Sequence, residues 1–304
     1  MKIVRHFKSL LDINRKEFLR IIERAITIKN DSKNNVTNNI FNNKTMAMIF
    51  KKNSTRTRVA FETAMSKMGG HAIFLSSDTT QMSRGEIISD TGKVLSGMVD
   101  IILIRTHNHN EVVELAKHSS VPVVNGLTEK FHPCQLLADM QTFYEEKGTF
   151  EDKKIAWVGD GCNMCNSYIN AAKLLNFQLK ISTPSGCEPD KKTLSLAPDN
   201  VELCDLPGKA VEDCDLVTTD VWTSMGDESD VEKRKQLFRG FQINQHLFDK
   251  AKHDAIFMHC LPAYRGEEVE SDVIDGKRSR VWQQAQNRLF TSQALIEFLL
   301  NESE

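Results

Sequence analysis

At 304 residues, with 40% hydrophobic and 26% charged content, the chain is long enough for two domains of roughly 150 residues, each able to bury a core without staples. A formal net charge of −2 excludes a general attraction to nucleic acid or to an anionic membrane surface, so any cationic site is local and suits small anions. Seven cysteines, an odd number without scaffold-like spacing, fit reduced thiols, and with no apolar run of about 20 residues and no signal-peptide core a cytoplasmic protein is expected.

In chain order, Phe18, Ile21, Ile22, Ala25 and Ile28 recur at helical spacing and predict an amphipathic helix over 17–29. The Asn-, Ser- and Lys-rich stretch 30–43 reads as a loop. Strands over 47–50, 72–75, 101–104 and 123–124 then alternate with helices over 59–67, 90–98 and 111–117, followed by a helix from about 135. A second series, with strands over 154–158, 178–182, 216–219 and 255–258, alternates in the same way, and a last helix spans 292–300. Alternation of this kind predicts an α/β fold of two domains, each a parallel sheet flanked by helices. The polar stretch 145–149 marks the boundary between them.

Several motifs fall at the ends of predicted strands. Ser54-Thr55-Arg56-Thr57-Arg58 lies where a strand gives way to a helix, so free backbone N–H groups, hydroxyls and guanidinium groups gather at one point. The expected guest is a phosphate or similar oxyanion, with ordinary helix capping as the competing reading. Arg105 ends an apolar strand, a crevice position in parallel sheets, and Asp220 and Cys260 follow two later strands in the same way. Cys162-Asn163-Met164-Cys165 has redox or zinc spacing, but no second pair accompanies it, which disfavours both roles.

With STRTR, His132-Pro133-Cys134-Gln135, Asp220 ahead of Ser224-Met225-Gly226, and His259-Cys260-Leu261-Pro262 in that order, the chain resembles the ornithine carbamoyltransferases over nearly its whole length. The resemblance implies a carbamoyl phosphate-binding domain over 1–147, an ornithine-binding domain over 148–288, and a C-terminal helix, 289–304, returning to the first domain. It implies that Ser54, Thr55, Arg56 and Thr57 bind the phosphate, and that Arg105 contacts phosphate and carbonyl oxygen. His132 and Gln135 of the HPCQ motif, which also supplies Pro133 and Cys134, would hold the carbonyl oxygen and the carbamoyl nitrogen. The backbone of Leu261, with Arg278 near the carbonyl end, would complete the carbamoyl phosphate set. Asn163, Asp220, Ser224 and Met225 would hold L-ornithine, and Gln81 lies in a loop that the resemblance sends into a neighbouring subunit, implying a homotrimer with shared sites.

The implied reaction is attack of a neutral amine on the carbonyl carbon, with Arg105, His132, Cys260 and Asp220 as catalytic residues. Such a reaction needs no cofactor, so none is expected, nor a metal. Arginine biosynthesis is the expected direction. Two positions depart from the family pattern: Lys51 stands where Glu is common and is expected to face solvent, and Cys162 replaces the first Asn of a usual GDGNN while leaving Asn163 in register. Three rival readings stay open. A nicotinamide oxidoreductase is suggested by Gly159-Asp160-Gly161, though a third glycine and a following acidic residue are missing. The others are a carbamoyltransferase acting on putrescine or acetylornithine, and a non-catalytic anion-binding protein of the same fold.

Overall fold

The computed structural model describes residues 4–34, 36, 39–76, 85–223 and 231–302. It divides into two compact units, one of residues 1–141 with 286–304 and the other of residues 142–285. In the first unit α1 (Arg15–Lys33) leads to β1 (Thr45–Phe50), α2 (Arg56–Lys67), β2 (His71–Ser76), α3 (Ile88–Ser96), β3 (Ile101–Arg105), α4 (His109–His118), β4 (Val123–Leu127) and the start of α5 (Pro133–Lys147). The α1 helix opens on a capping box in which Asn14 and Glu17 satisfy each other's backbone N–H groups. It continues through Asn30 to Lys33, one turn beyond the apolar pattern, because exposed polar residues are tolerated on a helix already nucleated.

The four strands of this unit are all parallel, in the order β2-β1-β3-β4. The chain runs outward from β1 to β2 and then crosses back to β3, so the switch in direction falls between β1 and β3. Their register pairs Phe50 with Arg105, which sets the loop after β1 beside the end of β3. Every residue of β3, Arg105 included, is buried.

The second unit runs through β5 (Lys154–Val158), α6 (Asn163–Leu175), β6 (Gln178–Ser182), α7 (Lys191–Leu194), β7 (Val201–Leu203), α8 (Pro207–Val211), β8 (Leu216–Thr219), α9 (Val231–Leu237), α10 (Gln245–Phe248), β9 (Ile256–His259) and α11 (Ser271–Ile274). Its sheet is again wholly parallel, in the order β7-β6-β5-β8-β9, with the switch between β5 and β8. The edge strand β7 is absent from the expected elements. It is three residues long and has no apolar alternation to betray it.

The last helix, α12 (Val281–Asn301), begins well before the apolar pattern that predicted it, and its residues from Gln286 onward belong to the first unit. There Leu295, Ile296 and Leu299 are fully buried, Glu297 accepts from Arg24 at 2.9 Å, and the Arg20 guanidinium lies 4.8 Å from the centre of the Phe298 ring. The expected fold, two α/β domains of parallel strands with a C-terminal helix returning to the first, is therefore the observed one. Among the described residues no helix is long and apolar enough to cross a membrane.

His6 gives this unit an acid sensitivity. Its Nδ1 accepts the Val123 N–H at 3.1 Å, and burial, aided by Lys8, pushes its pKa from 6.5 to about 4. The unfolded chain takes up this proton near pH 6.5 and the folded chain only near pH 4, so protonation favours unfolding. The stabilisation is full above pH 6.5 and is lost as pH falls toward 4. Urea unfolding at about pH 7 and about pH 5 is expected to show a smaller loss of stability for His6→Asn than for the unmodified protein.

Candidate active site

In the first unit the β1 strand ends in a loop that turns directly into α2. Thr55, at the N-cap position of that helix, makes no side-chain capping bond, and the first turn carries no acidic residue. Thr55 therefore does not cap the helix, and no acidic residue of the first turn offsets the positive end of its dipole. The two arginines of the motif separate in role. Arg58 packs over the Phe74 ring at 3.7 Å and pairs with Glu62 at 3.0 Å, whereas Arg56, half-buried, has no carboxylate partner among the described residues. Ser54 is half-buried, Thr55 exposed and Thr57 fully buried.

Thr57 is the meeting point of two other cations. Its Oγ1 accepts from Arg288 Nη2 at 2.7 Å and lies 3.5 Å from Arg105 Nη1. With guanidinium donors on its lone pairs, the hydroxyl directs its own proton elsewhere, toward any oxyanion beside it. Arg288 is 4% exposed and comes from α12, a position absent from the expected site residues. The polar run Gln283, Gln284, Gln286 and Asn287 ahead of it reads as surface, so hydropathy gives no signal for it. Arg278, expected near the carbonyl end, is instead held by Asp249 at 2.5 Å and stacks over Phe248 at 4.0 Å. Arg278 is thus engaged by Asp249 and Phe248, and Arg288 is the arginine that bonds Thr57.

The HPCQ motif forms the N-terminus of α5, with Pro133 at the first helical position, where its missing N–H is harmless. Thr128 shapes the approach by accepting from the backbone N–H groups of Lys130 and Phe131. His132 is buried, and burial together with the charges of Arg288, Arg105 and Arg56 holds its pKa well below the ordinary value, so its imidazole is neutral. Gln135 is 1% exposed and donates Nε2–H to Asp139 Oδ1 at 2.8 Å. That bond fixes the amide orientation and leaves Gln135 Oε1 buried as an acceptor with no protein partner among the described residues. The Cys134 thiol donates to the Asn125 carbonyl at 3.3 Å, and burial pushes its pKa up to about 12.

In the second unit the ends of the neighbouring strands β8 and β9 carry the corresponding groups. Register pairs Thr219 with His259, so the next residues on each strand, Asp220 and Cys260, emerge side by side. Cys260 Sγ donates to Asp220 Oδ1 at 3.1 Å, the same oxygen takes the Val221 N–H at 2.8 Å, and Cys162 Sγ reaches Oδ2 at 3.7 Å. The C-x-x-C pair is thereby accounted for without a disulfide: Cys165 is fully buried, and burial followed by nearby acidic charge raises both thiol pKa values well above normal.

Asn163 begins α6, directly after the N-cap residue Cys162. Gly161 has no room for a side chain, since a Cβ there would stand 2.4 Å from backbone atoms of Glu188 and Pro189. Leu261 adopts φ 58 and donates its N–H to His259 Nδ1, while His259 Nε2 faces Glu268 at 3.1 Å, both side chains fully buried. Asp220, His259 and Cys260 bring ligand atoms within 4.8 Å of one another, a metal-compatible spacing, but both ring nitrogens of His259 are already engaged. Gln81, Ser224 and Met225 lie outside the described residues.

Residues 5–145 match the family model described as the carbamoyl-P binding domain of aspartate/ornithine carbamoyltransferase, and residues 151–299 match its Asp/Orn binding domain. The chain is 51% identical to an ornithine carbamoyltransferase of Chromohalobacter salexigens over 97% of both chains, and 50% identical to one of Hydrogenovibrio crunogenus over 98% of both. Among solved structures, the ornithine carbamoyltransferase of Pyrococcus furiosus superposes with a TM-score of 0.94 at 45% identity, over 98% of this chain and 97% of that one. The chain belongs to the aspartate/ornithine carbamoyltransferase family.

Proposed function

We propose that the chain transfers the carbamoyl group of carbamoyl phosphate to the δ-amine of L-ornithine, giving L-citrulline and phosphate. The observation that carries this reading is the gathering of Arg105 and Arg288 on the buried Thr57 hydroxyl, in the same unit as Arg56, which has no carboxylate partner among the described residues. Three guanidinium groups with an uncapped helix N-terminus suit a dianionic phosphate, and the open acceptor on Gln135 suits the carbamoyl NH2.

In this reading Ser54, Thr55, Arg56 and Thr57 hold the phosphate, and Arg105, His132 and Thr57 stabilise the oxyanion that develops as the amine attacks. Neutral His132 serves as a hydrogen-bonding group, because burial and three nearby arginines keep it unprotonated. The first unit takes carbamoyl phosphate and the second takes ornithine, whose carboxylate suits the α6 N-terminus at Asn163. The Asp220–Cys260 pair favours a cationic acceptor side chain over that of aspartate, which would meet the Asp220 carboxylate as a like charge. An ammonium has no lone pair, so Asp220 and Cys260 also manage the proton that the δ-amine must lose before attack.

The proposal extends to a homotrimer acting in the cytoplasm in arginine synthesis, with Gln81 contributed across subunits. In support of assembly, β2 is an edge strand with Ile73 exposed, and α2, which packs on it, exposes Val59. The test is citrulline formation from carbamoyl phosphate, with putrescine, acetylornithine and aspartate as alternative acceptors assayed for their own carbamoylated products. Turnover with ornithine alone is expected. Binding of carbamoyl phosphate without turnover of any acceptor would overturn the reading in favour of a non-catalytic protein.

A further inference from the structure

Lys51, expected to face solvent, does something else. Its backbone N–H donates to the Arg105 carbonyl at 2.9 Å, extending the β1–β3 ladder by one bond past the strand. Its ammonium group pairs with Glu111 Oε1 at 2.8 Å, and the second oxygen of that carboxylate accepts from the hydroxyl of Thr106, the residue after Arg105. Thr106 is 1% exposed and Glu111 lies in the first turn of α4, where the helix dipole favours its charge. Lys52 makes a parallel crossing, its Nζ lying 3.2 Å from His107 Nδ1. Two consecutive residues of the loop that leads to Ser54 and α2 are thus tied to the two residues that follow Arg105, Lys51 to Thr106 through Glu111 and Lys52 to His107 directly.

We infer that Lys51, acting through Glu111, is a positioning residue for the anion site, fixing the distance between the phosphate loop and the strand end that presents Arg105. The inference rests on the carbamoyl phosphate reading above. A partly exposed ion pair of this kind contributes little to global stability. Its leverage is geometric, because a phosphate bridged by Arg56 and Arg105 is held only while both loops keep their separation. Glutamate, the residue the family commonly carries here, would set two carboxylates against each other in this chain.

The test compares Lys51→Glu, Lys51→Met and the exchange Lys51→Glu with Glu111→Lys in the full-length protein. It measures KM for carbamoyl phosphate and kcat at saturating ornithine, together with binding of inorganic phosphate. Lys51→Glu is expected to raise KM for carbamoyl phosphate about tenfold, equivalent to ~1.4 kcal/mol, with kcat within about twofold. Lys51→Met is expected to fall between it and the unmodified protein, and the exchange to recover most of the loss. A KM for Lys51→Glu within about twofold of the unmodified value, or an exchange no better than the single variant, would overturn the inference. Failure of the unmodified protein to form citrulline would count against the functional reading instead, and the phosphate-binding series would still decide the role of Lys51.

Discussion

Arg288→Ala is expected to lower kcat/KM for carbamoyl phosphate by about 10²–10³-fold, the range seen when one preorganised oxyanion donor is removed. Arg288 is almost wholly buried and bonds the Thr57 hydroxyl at 2.7 Å, so its loss removes a cation and also frees the rotor that aims the Thr57 proton. Arg288→Lys keeps the charge without the two-pronged guanidinium and is expected to recover only part of the loss. Of the nearby arginines, Arg288 contributes most to depressing the His132 pKa, after burial itself. The His132 ring in Arg288→Ala is therefore expected to titrate at higher pH than in the unmodified protein, as NMR of the imidazole would show. Steady-state kinetics within about threefold of the unmodified enzyme would remove Arg288 from the site.

Asp220→Asn is expected to lower kcat/KM for ornithine by about 10²–10⁴-fold, with KM for carbamoyl phosphate little changed. The carboxylate is held by the Cys260 thiol, the Val221 N–H and, at longer range, the Cys162 thiol. An amide of the same shape preserves much of that packing but can neither pair with an ammonium group nor take its proton. Selectivity for the second substrate is the discriminating readout, since a general loss of folding would impair both KM values. An ornithine kcat/KM within tenfold of the unmodified value would exclude Asp220 from proton handling.

Much of the fold was legible because strand and helix periods are local properties. The apolar run Met46-Ala47-Met48-Ile49-Phe50 and the break to Ser54 announce a buried parallel strand followed by a helix start, and the structure puts β1 and α2 there. The elements that escaped had no such pattern. The β7 strand is short and exposed at Glu202 and Leu203, and the first turns of α12 are polar yet buried at Gln284, Asn287 and Arg288. A buried polar residue looks in sequence like a solvent-facing one, which is why nothing local marks Arg288 as the residue that bonds Thr57.

By itself the sequence determined the α/β alternation, the helix start that bears Thr57, the strand ends that bear Arg105, Asp220 and Cys260, and through its motifs the family. Only the tertiary structure decided which of these groups meet. Thr57 and Arg288 are 231 positions apart, Lys51 and Glu111 60, and the Asp220 carboxylate draws thiols from two different strand ends. The physical reason is that backbone geometry repeats every two or 3.6 residues and so leaves a local imprint on hydropathy. Pairings between strand ends depend instead on sheet order and register, which packing sets and no local pattern records.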